Sequence, residues 1–192
     1  MENFIRVYDA MLSDELCAEA IKRFELSQQT FPGLISKNDG QKIIDRTKKQ
    51  TMELVISDDP AWVDIEQGLQ AGHVECVNRY AAEFPHIGRV VGTLFSEPFR
   101  FKKYEPGGFF DWHVDSGGEN NSRVVAVQFY FNDVDKGGET EFMFQKMRVP
   151  AVRGRMIVSP TLWTYLHRGA PVHSNPKYIC TNYVRSDEGG GE

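Results

Sequence analysis

Two stretches hold side chains of the types that do chemistry together. Residues 104–118, YEPGGFFDWHVDSGG, contain His113-Val114-Asp115. On an extended strand alternate side chains share a face, so this imidazole and this carboxylate point the same way. Such a pair can fill two adjacent positions around a metal ion. Residues 166–177, LHRGAPVHSNPK, add His167, His173 and Lys177. Either histidine would complete a set of two imidazoles and one carboxylate, which takes one face of an octahedron and leaves three positions open. The HxD triplet recurs by chance and equally suits a surface loop beside Gly117-Gly118, so its meaning depends on the third ligand.

The elements that must position these residues are legible in outline. The protein has 192 residues, 41% of them apolar and 26% charged, which suits one soluble domain with a substantial core. The expected domain spans 1–185, with a β core over about 89–185 and a disordered tail at 186–192. A short strand is expected over FIRVY, 4–8. A helix follows, with Ser13 as N-cap, Asp14 and Glu15 in its first turn and an apolar stripe of Leu16, Cys17, Ala20, Ile21 and Phe24. Residues 31–50 read as a mobile polar loop whose basic residues, Lys42, Arg46, Lys48 and Lys49, suit either a solvated loop or a flap over an acidic or polar substrate. After a strand at 51–56, a second helix starts near Pro60 and carries Trp62, Ile65, Leu69, His73, Cys76, Tyr80 and Phe84 on one face, with His73 as a packed core residue. From there strand patterns recur at 89–95, 99–104, 109–115, 123–131, 154–159, 162–167 and 177–184, separated by Gly and Pro turns. The expected class is α+β, mainly β, a sandwich or jelly roll supported by N-terminal helices.

Composition also narrows the partners. A net charge of −5 argues against nucleic acid. No segment approaches the apolar length that crosses a bilayer, and MENFIRVYDA has no leader-like pattern. Cys17, Cys76 and Cys180 are odd in number and form no CxxC pair, so buried thiols in a reducing cytoplasm are expected, with no membrane association.

Two histidines and a carboxylate with open positions is the ligand pattern of non-haem iron(II) oxygenases. The sequence resembles the iron(II)- and 2-oxoglutarate-dependent dioxygenases, in particular their prolyl 4-hydroxylase-like branch. YEPGGFFDWHVD resembles the Tyr, Gly, aromatic, HxD run of that branch. FYFNDVDKGGETEF, 129–142, resembles its strand, Asn turn and Gly-Gly-Glu-Thr. LHRGAPVHSNPK is similar to its Leu-His-Gly-Gly-Cys-Pro-Val segment, where a lysine stands ten residues after the histidine, and VYDAMLSDELC, 7–17, is similar to its start. Counted from His167, Lys177 fits that spacing; counted from His173, it does not.

The resemblance implies a double-stranded β-helix, with His113, Asp115 and His167 as iron(II) ligands and no catalytic residue beyond the metal site. It implies that Lys177 pairs with the distal carboxylate of 2-oxoglutarate and that Tyr104 hydrogen-bonds this co-substrate. Thr181 shares a strand face with Lys177 and completes the pocket. Charge supports the set, because iron(II), Asp115, 2-oxoglutarate and Lys177 sum to zero, as a buried site requires. The resemblance also implies dioxygen as the second co-substrate and allows L-ascorbate as an accessory reductant. The implied reaction hydroxylates an unactivated C–H bond, most naturally of a prolyl residue in a protein or peptide, and releases succinate and carbon dioxide. The small residue that a halogenating relative would need is absent at Asp115.

The sequence also departs from the branch. Phe110 stands where a second tyrosine is frequent, and Arg168 replaces a glycine after the ligand histidine. Arg46, Trp112 and Arg168 are the candidate substrate contacts, with Trp112 and Val114 read as core or pocket wall. Two other readings use the same ligands: hydroxylation of a free amino acid or other small molecule, and a non-catalytic metal-binding jelly roll or zinc hydrolase. Lys177 separates the last of these, since neither has a use for a buried cation at that spacing.

Overall fold

The computed structural model describes residues 3–37, 40–57, 59–87 and 94–186. In sequence order the elements are β1 (Arg6–Tyr8), α1 (Asp14–Leu26), β2 (Phe31–Pro32), β3 (Ile35–Ser36), β4 (Lys42–Ile43), β5 (Met52–Val55), α2 (Val63–Glu83), β6 (Leu94–Ser96), β7 (Arg100–Tyr104), β8 (Phe110–His113), β9 (Arg123–Tyr130), β10 (Thr140–Phe142), β11 (Met147–Val149), β12 (Met156–Pro160), β13 (His167–Gly169) and β14 (Lys177–Ser186).

From β7 onward the backbone passes back and forth between two antiparallel sheets, with β10 and β11 consecutive in the smaller one. The larger runs β1-β12-β9-β14-β7-β5-β2, with β6 also on β14; the smaller runs β11-β10-β13-β8. This alternation makes the jelly roll. Period-two patterning explains how the larger sheet is covered on both sides. Phe101, Val127, Phe129, Val158 and Cys180 face α1 and α2 in one apolar cluster. Their strand neighbours Tyr104, Tyr130, Ile157 and Ile179 face inward, packed with Phe142 and Val149 of the smaller sheet.

The helices follow their caps. Ser13 Oγ accepts from Leu16 N at 3.2 Å at the start of α1. A 3-10 turn, Pro60–Trp62, capped by the Asp59 carboxylate, leads into α2. His73 is buried in α2 beside the rings of Phe99 and Phe129, with Nδ1 unbonded. Burial pushes it down to about 4. All three cysteines are buried free thiols.

Three expectations need correction. Residues 162–167 are not one strand: a 3-10 turn, Trp163–Tyr165, precedes β13. Leu162 and Trp163 point outward, so their apolar character marks no core strand. Strands β10 and β11 lie where only a turn was expected, because three-residue strands carrying Glu141 and Arg148 show no clear alternation. The segment 31–50 is not a free flap. It forms the β3–β4 hairpin and then bonds to the edge of β8 through Gln50 N to Phe109 O and Asp111 N to Lys48 O. Its basic residues are mostly engaged: Lys42 with Glu119, Lys48 with Asp111, and Lys49 buried against Glu53 at 2.6 Å. Of the strand expected at 89–95, residues 89–93 lie outside the described residues, as do 187–192 of the expected tail.

Candidate metal centre

Strands β8 and β13 pair so that His113 and His167 stand directly opposite one another. Their ring centroids are 4.3 Å apart. Asp115 follows β8 and closes the group: Oδ1 lies 3.8 Å from His113 Nε2, and Oδ2 lies 3.4 Å from His167 Nε2. One ligand atom from each residue falls within 4.8 Å of the others, a cluster that could hold a metal ion.

Each member is held in orientation. His113 Nδ1 bonds the Asp111 carbonyl at 2.8 Å, and His167 Nδ1 bonds the Tyr165 carbonyl at 3.0 Å. Backbone carbonyls only accept, so Nδ1 carries the proton in both rings and Nε2 is left as a lone-pair donor aimed inward. Tyr183 donates from its hydroxyl to Asp115 Oδ1 at 2.9 Å. Phe110 stacks on the His113 ring at 3.6 Å, so the phenylalanine that replaces a tyrosine packs a candidate ligand.

Electrostatics favour the ligating forms. Burial, reinforced by the adjoining His167, pushes His113 down to about 3, so it is neutral at pH 7. Burial works against ionisation of Asp115, but His167, His113 and Lys102 outweigh it and hold the carboxyl below its ordinary range.

The same cavity contains Tyr104, Lys177 and Thr181. Strand β14 pairs with β7 in the register Lys177 to Tyr104 and Thr181 to Arg100. Lys177 is fully buried, 4.2 Å from the centroid of the Tyr104 ring, and donates to the Gly138 carbonyl at 2.8 Å. No carboxylate among the described residues lies at ion-pair distance from it. Burial pushes it down to about 7, and Lys102 pushes the same way. The Gly138 carbonyl is placed by the Gly137-Gly138 turn, where both residues have φ of +73° and a Cβ at Gly137 would come 2.2 Å from the Pro171 carbonyl. Thr181 Oγ1 is buried with no hydrogen-bond partner among the described residues. Burial raises the Tyr104 hydroxyl well above the ordinary range, so it is a neutral donor.

The remaining candidates stand elsewhere. His173 is exposed, in the turn that carries the Gly137–Val172 bridge. Arg46 is exposed beside a separate depression with Pro32, Gly33 and Ile44, outside the histidine cavity. Trp112 is half-buried under the Arg168 guanidinium, whose carbon lies 4.8 Å from the ring centroid. Arg168 also pairs with Glu141 at 2.6 Å. Trp112 and Arg168 therefore brace each other on the outer side of the smaller sheet; neither lines the cavity, and Val114 is exposed, so neither Trp112 nor Val114 is core.

The lining residues that the sequence patterns do not pick out include Lys102, Gln128, Thr140 and Tyr183. Period two carries a signal for two of them, since Lys102 is two residues before Tyr104 and Tyr183 two after Thr181. Thr140 lies on the unexpected β10 and has none.

Residues 99–185 match the family described as the 2OG-Fe(II) oxygenase superfamily. A probable prolyl 4-hydroxylase 9 of Arabidopsis thaliana is 25% identical over 145 residues, which are 61% of this protein and 49% of that one. A transmembrane prolyl 4-hydroxylase of Mus musculus is 31% identical over 138 residues, 61% of this protein and 27% of that one. The sequence thus spans half or less of these relatives' length. In fold it is similar to a viral collagen prolyl hydroxylase of Paramecium bursaria Chlorella virus-1 solved with 2OG, with a TM-score of 0.69 at 19% identity over 96% of this protein and 97% of that one. It is also similar to a prolyl hydroxylase of Trichoplax adhaerens in complex with a hypoxia inducible factor peptide fragment, with a TM-score of 0.76 at 14% identity over 97% and 85%. The cavity that holds His113, Asp115, His167 and Lys177 is built by the matched segment. Residues 99–185, which build this cavity, are thus the part of the protein that matches the 2OG-Fe(II) oxygenase superfamily, and the similar proteins named above are prolyl hydroxylases.

Proposed function

We propose that the protein hydroxylates an unactivated C–H bond of a prolyl residue in a protein or peptide, using iron(II), 2-oxoglutarate and dioxygen. The observation that carries this reading is one cavity holding both a His–Asp–His set and, ten residues after its second histidine, a buried lysine without a carboxylate partner among the described residues. The residues present fit the groups required. Two inward Nε2 atoms and a carboxylate suit a divalent first-row metal, and the open positions suit co-substrate binding. Lys177, the unpartnered Thr181 hydroxyl and the neutral Tyr104 hydroxyl suit a carboxylate of 2-oxoglutarate.

When bound, iron(II) and 2-oxoglutarate supply the activation of dioxygen, with release of succinate and carbon dioxide. The protein supplies placement and charge. His113, Asp115 and His167 hold the metal; Tyr183 fixes the Asp115 carboxylate; Lys177 neutralises and orients the far end of the co-substrate; the two sheets exclude water. Prolyl substrates are supported by the names of the relatives, and ascorbate as accessory reductant is part of the same proposal. The cytoplasm is the proposed location, since Cys17, Cys76 and Cys180 are buried free thiols suited to a reducing compartment. Among the described residues no helix is long and apolar enough to cross a membrane.

The test is mass spectrometry of proline-containing peptides incubated with the protein, iron(II) and 2-oxoglutarate in air. A gain of one oxygen atom that requires 2-oxoglutarate is the expected result. Tight zinc binding without any consumption of 2-oxoglutarate would refute the reading.

A further inference from the structure

The cavity holds a second buried lysine to which the proposed function gives no task. Lys102, on β7, is only 5% exposed. Like Tyr104, two residues on, it faces the space between the sheets and lines the cavity with His113 and Asp115. No hydrogen bond or ion pair reaches its ammonium group among the described residues. Its cross-strand neighbour is Glu53, whose oxygens are already engaged. Oε1 takes Lys49 at 2.6 Å and Thr51 at 3.0 Å, and Oε2 takes Arg100 at 3.4 Å. Burial, with Lys49 next to it, lowers Lys102 to about 8, which leaves it mainly cationic at pH 7.

Charge and position together say what it awaits. Iron(II), Asp115, 2-oxoglutarate and Lys177 balance without Lys102; Glu53 attracts Lys102 across the strand pair, but its single negative charge is shared with the bonded Lys49 and Arg100. Lys102 is one positive charge in excess, in a place where an unpaired charge is strongly unfavourable. In the sheet it pairs with Ile179, one two-residue step of about 7 Å from the Tyr104–Lys177 pair. The next inward residues of β14 are Thr181 and then Tyr183, which bonds Asp115. Lys102 thus stands between the co-substrate end of the cavity and the metal end.

We propose that Lys102 anchors a carboxylate carried by the reacting residue of the primary substrate. Under the proposed function the two carboxylates of 2-oxoglutarate already have partners, Lys177 and the metal. Lys102 is buried in the wall of the space that His113 and Asp115 line, and the substrate residue that reaches that space is the one being oxidised. The carboxylate therefore belongs to the residue being oxidised, and the favoured substrate class is an imino or amino acid that is free or at the C-terminus of a peptide. This inference rests on the oxygenase reading and replaces its internal prolyl residue with one that is free or C-terminal.

The test uses the full-length protein loaded with Mn(II) and 2-oxoglutarate, which permits binding to be measured without turnover. Calorimetry first records 2-oxoglutarate affinity; its absence would count against the oxygenase reading itself and is a separate result. L-proline, glycyl-L-proline and the amide of each are then titrated. In the wild type both acids are expected to bind about tenfold or more tighter than their amides, the range for a hydrogen bond to a charged group. Lys102→Met is expected to erase that preference, and Lys102→Arg to keep part of it. Both variants should leave 2-oxoglutarate affinity within about twofold of wild type. Equal binding of acids and amides, failure of all four to bind the wild type, or a preference that survives in Lys102→Met would each overturn the proposal. So would a Lys102→Met variant that loses 2-oxoglutarate instead, since that would assign Lys102 to the co-substrate. If Lys102→Met does not fold, the acid-to-amide comparison in the wild type decides.

Discussion

At the scale of single residues, two histidines six positions apart have different surroundings. His167 faces His113 across a strand pair with Nε2 turned to Asp115, whereas His173 is exposed in a turn. His167→Ala is expected to lower iron(II) affinity by more than about a hundredfold, beyond the range for loss of an outer-shell partner. His173→Ala should leave it within about twofold, and equilibrium dialysis compares the two. Lys177 carries a second expectation. Removing one partner of a buried charge pair costs roughly 2–5 kcal/mol, so Lys177→Met should raise the Kd for 2-oxoglutarate at least about thirtyfold. The pH dependence has a definite sign. Burial lowers Lys177 to about 7 in the free protein, and a bound carboxylate raises it again. Between those two values the complex binds more protons than the free protein. Affinity for 2-oxoglutarate therefore weakens as pH rises above 7, with proton uptake on binding, which calorimetry in buffers of different ionisation enthalpy detects.

At the scale of elements, the helices back the larger sheet and set the stability of the floor on which the centre rests. Loss of the Ser13 cap in Ser13→Ala should cost about 1 kcal/mol, read as a fall in Tm with the metal centre unchanged. His73 gives α2 a pH response. Its folded value, about 4, lies below its ordinary 6.5, so the unfolded protein binds more protons in between. Stability from this group is present above 6.5 and is lost as pH falls towards 4, by up to about 3 kcal/mol at the low end. His73→Leu removes the titration and the unbonded Nδ1, and denaturant unfolding at several pH values should show a flatter profile over that window. Strands β7, β9 and β14 were legible because alternate residues on them serve two different apolar layers. Strands β10 and β11 were not, because short strands near a sheet edge are held by pairing and by ion pairs such as Arg148–Glu141, which leave no periodic trace. The bonding of residues 48–50 to β8 was hidden for a similar reason, since the buried Lys49–Glu53 pair reads locally as part of a basic run.

At the scale of the whole molecule, function follows from two sheets that close around a polar interior. The smaller sheet brings His113 and His167 together, and the larger one supplies Lys102, Lys177, Thr181 and Tyr183. HxD was legible because strand geometry ties His113 and Asp115 to one face, while His167 and Lys177 were legible through the spacing that the family resemblance implies. The outward placement of Arg46, Trp112 and Arg168 was not, because a side chain's neighbours across the fold decide whether it reaches a cavity. The proposed activity requires that this enclosed set bind iron(II) and 2-oxoglutarate and turn the co-substrate over. Succinate formation from 2-oxoglutarate in air, with and without iron(II), by the wild type and by His167→Ala, measures that turnover. Iron-dependent succinate is expected from the wild type and none from His167→Ala. No succinate from the iron-loaded wild type, or undiminished turnover in His167→Ala, would contradict the assignment.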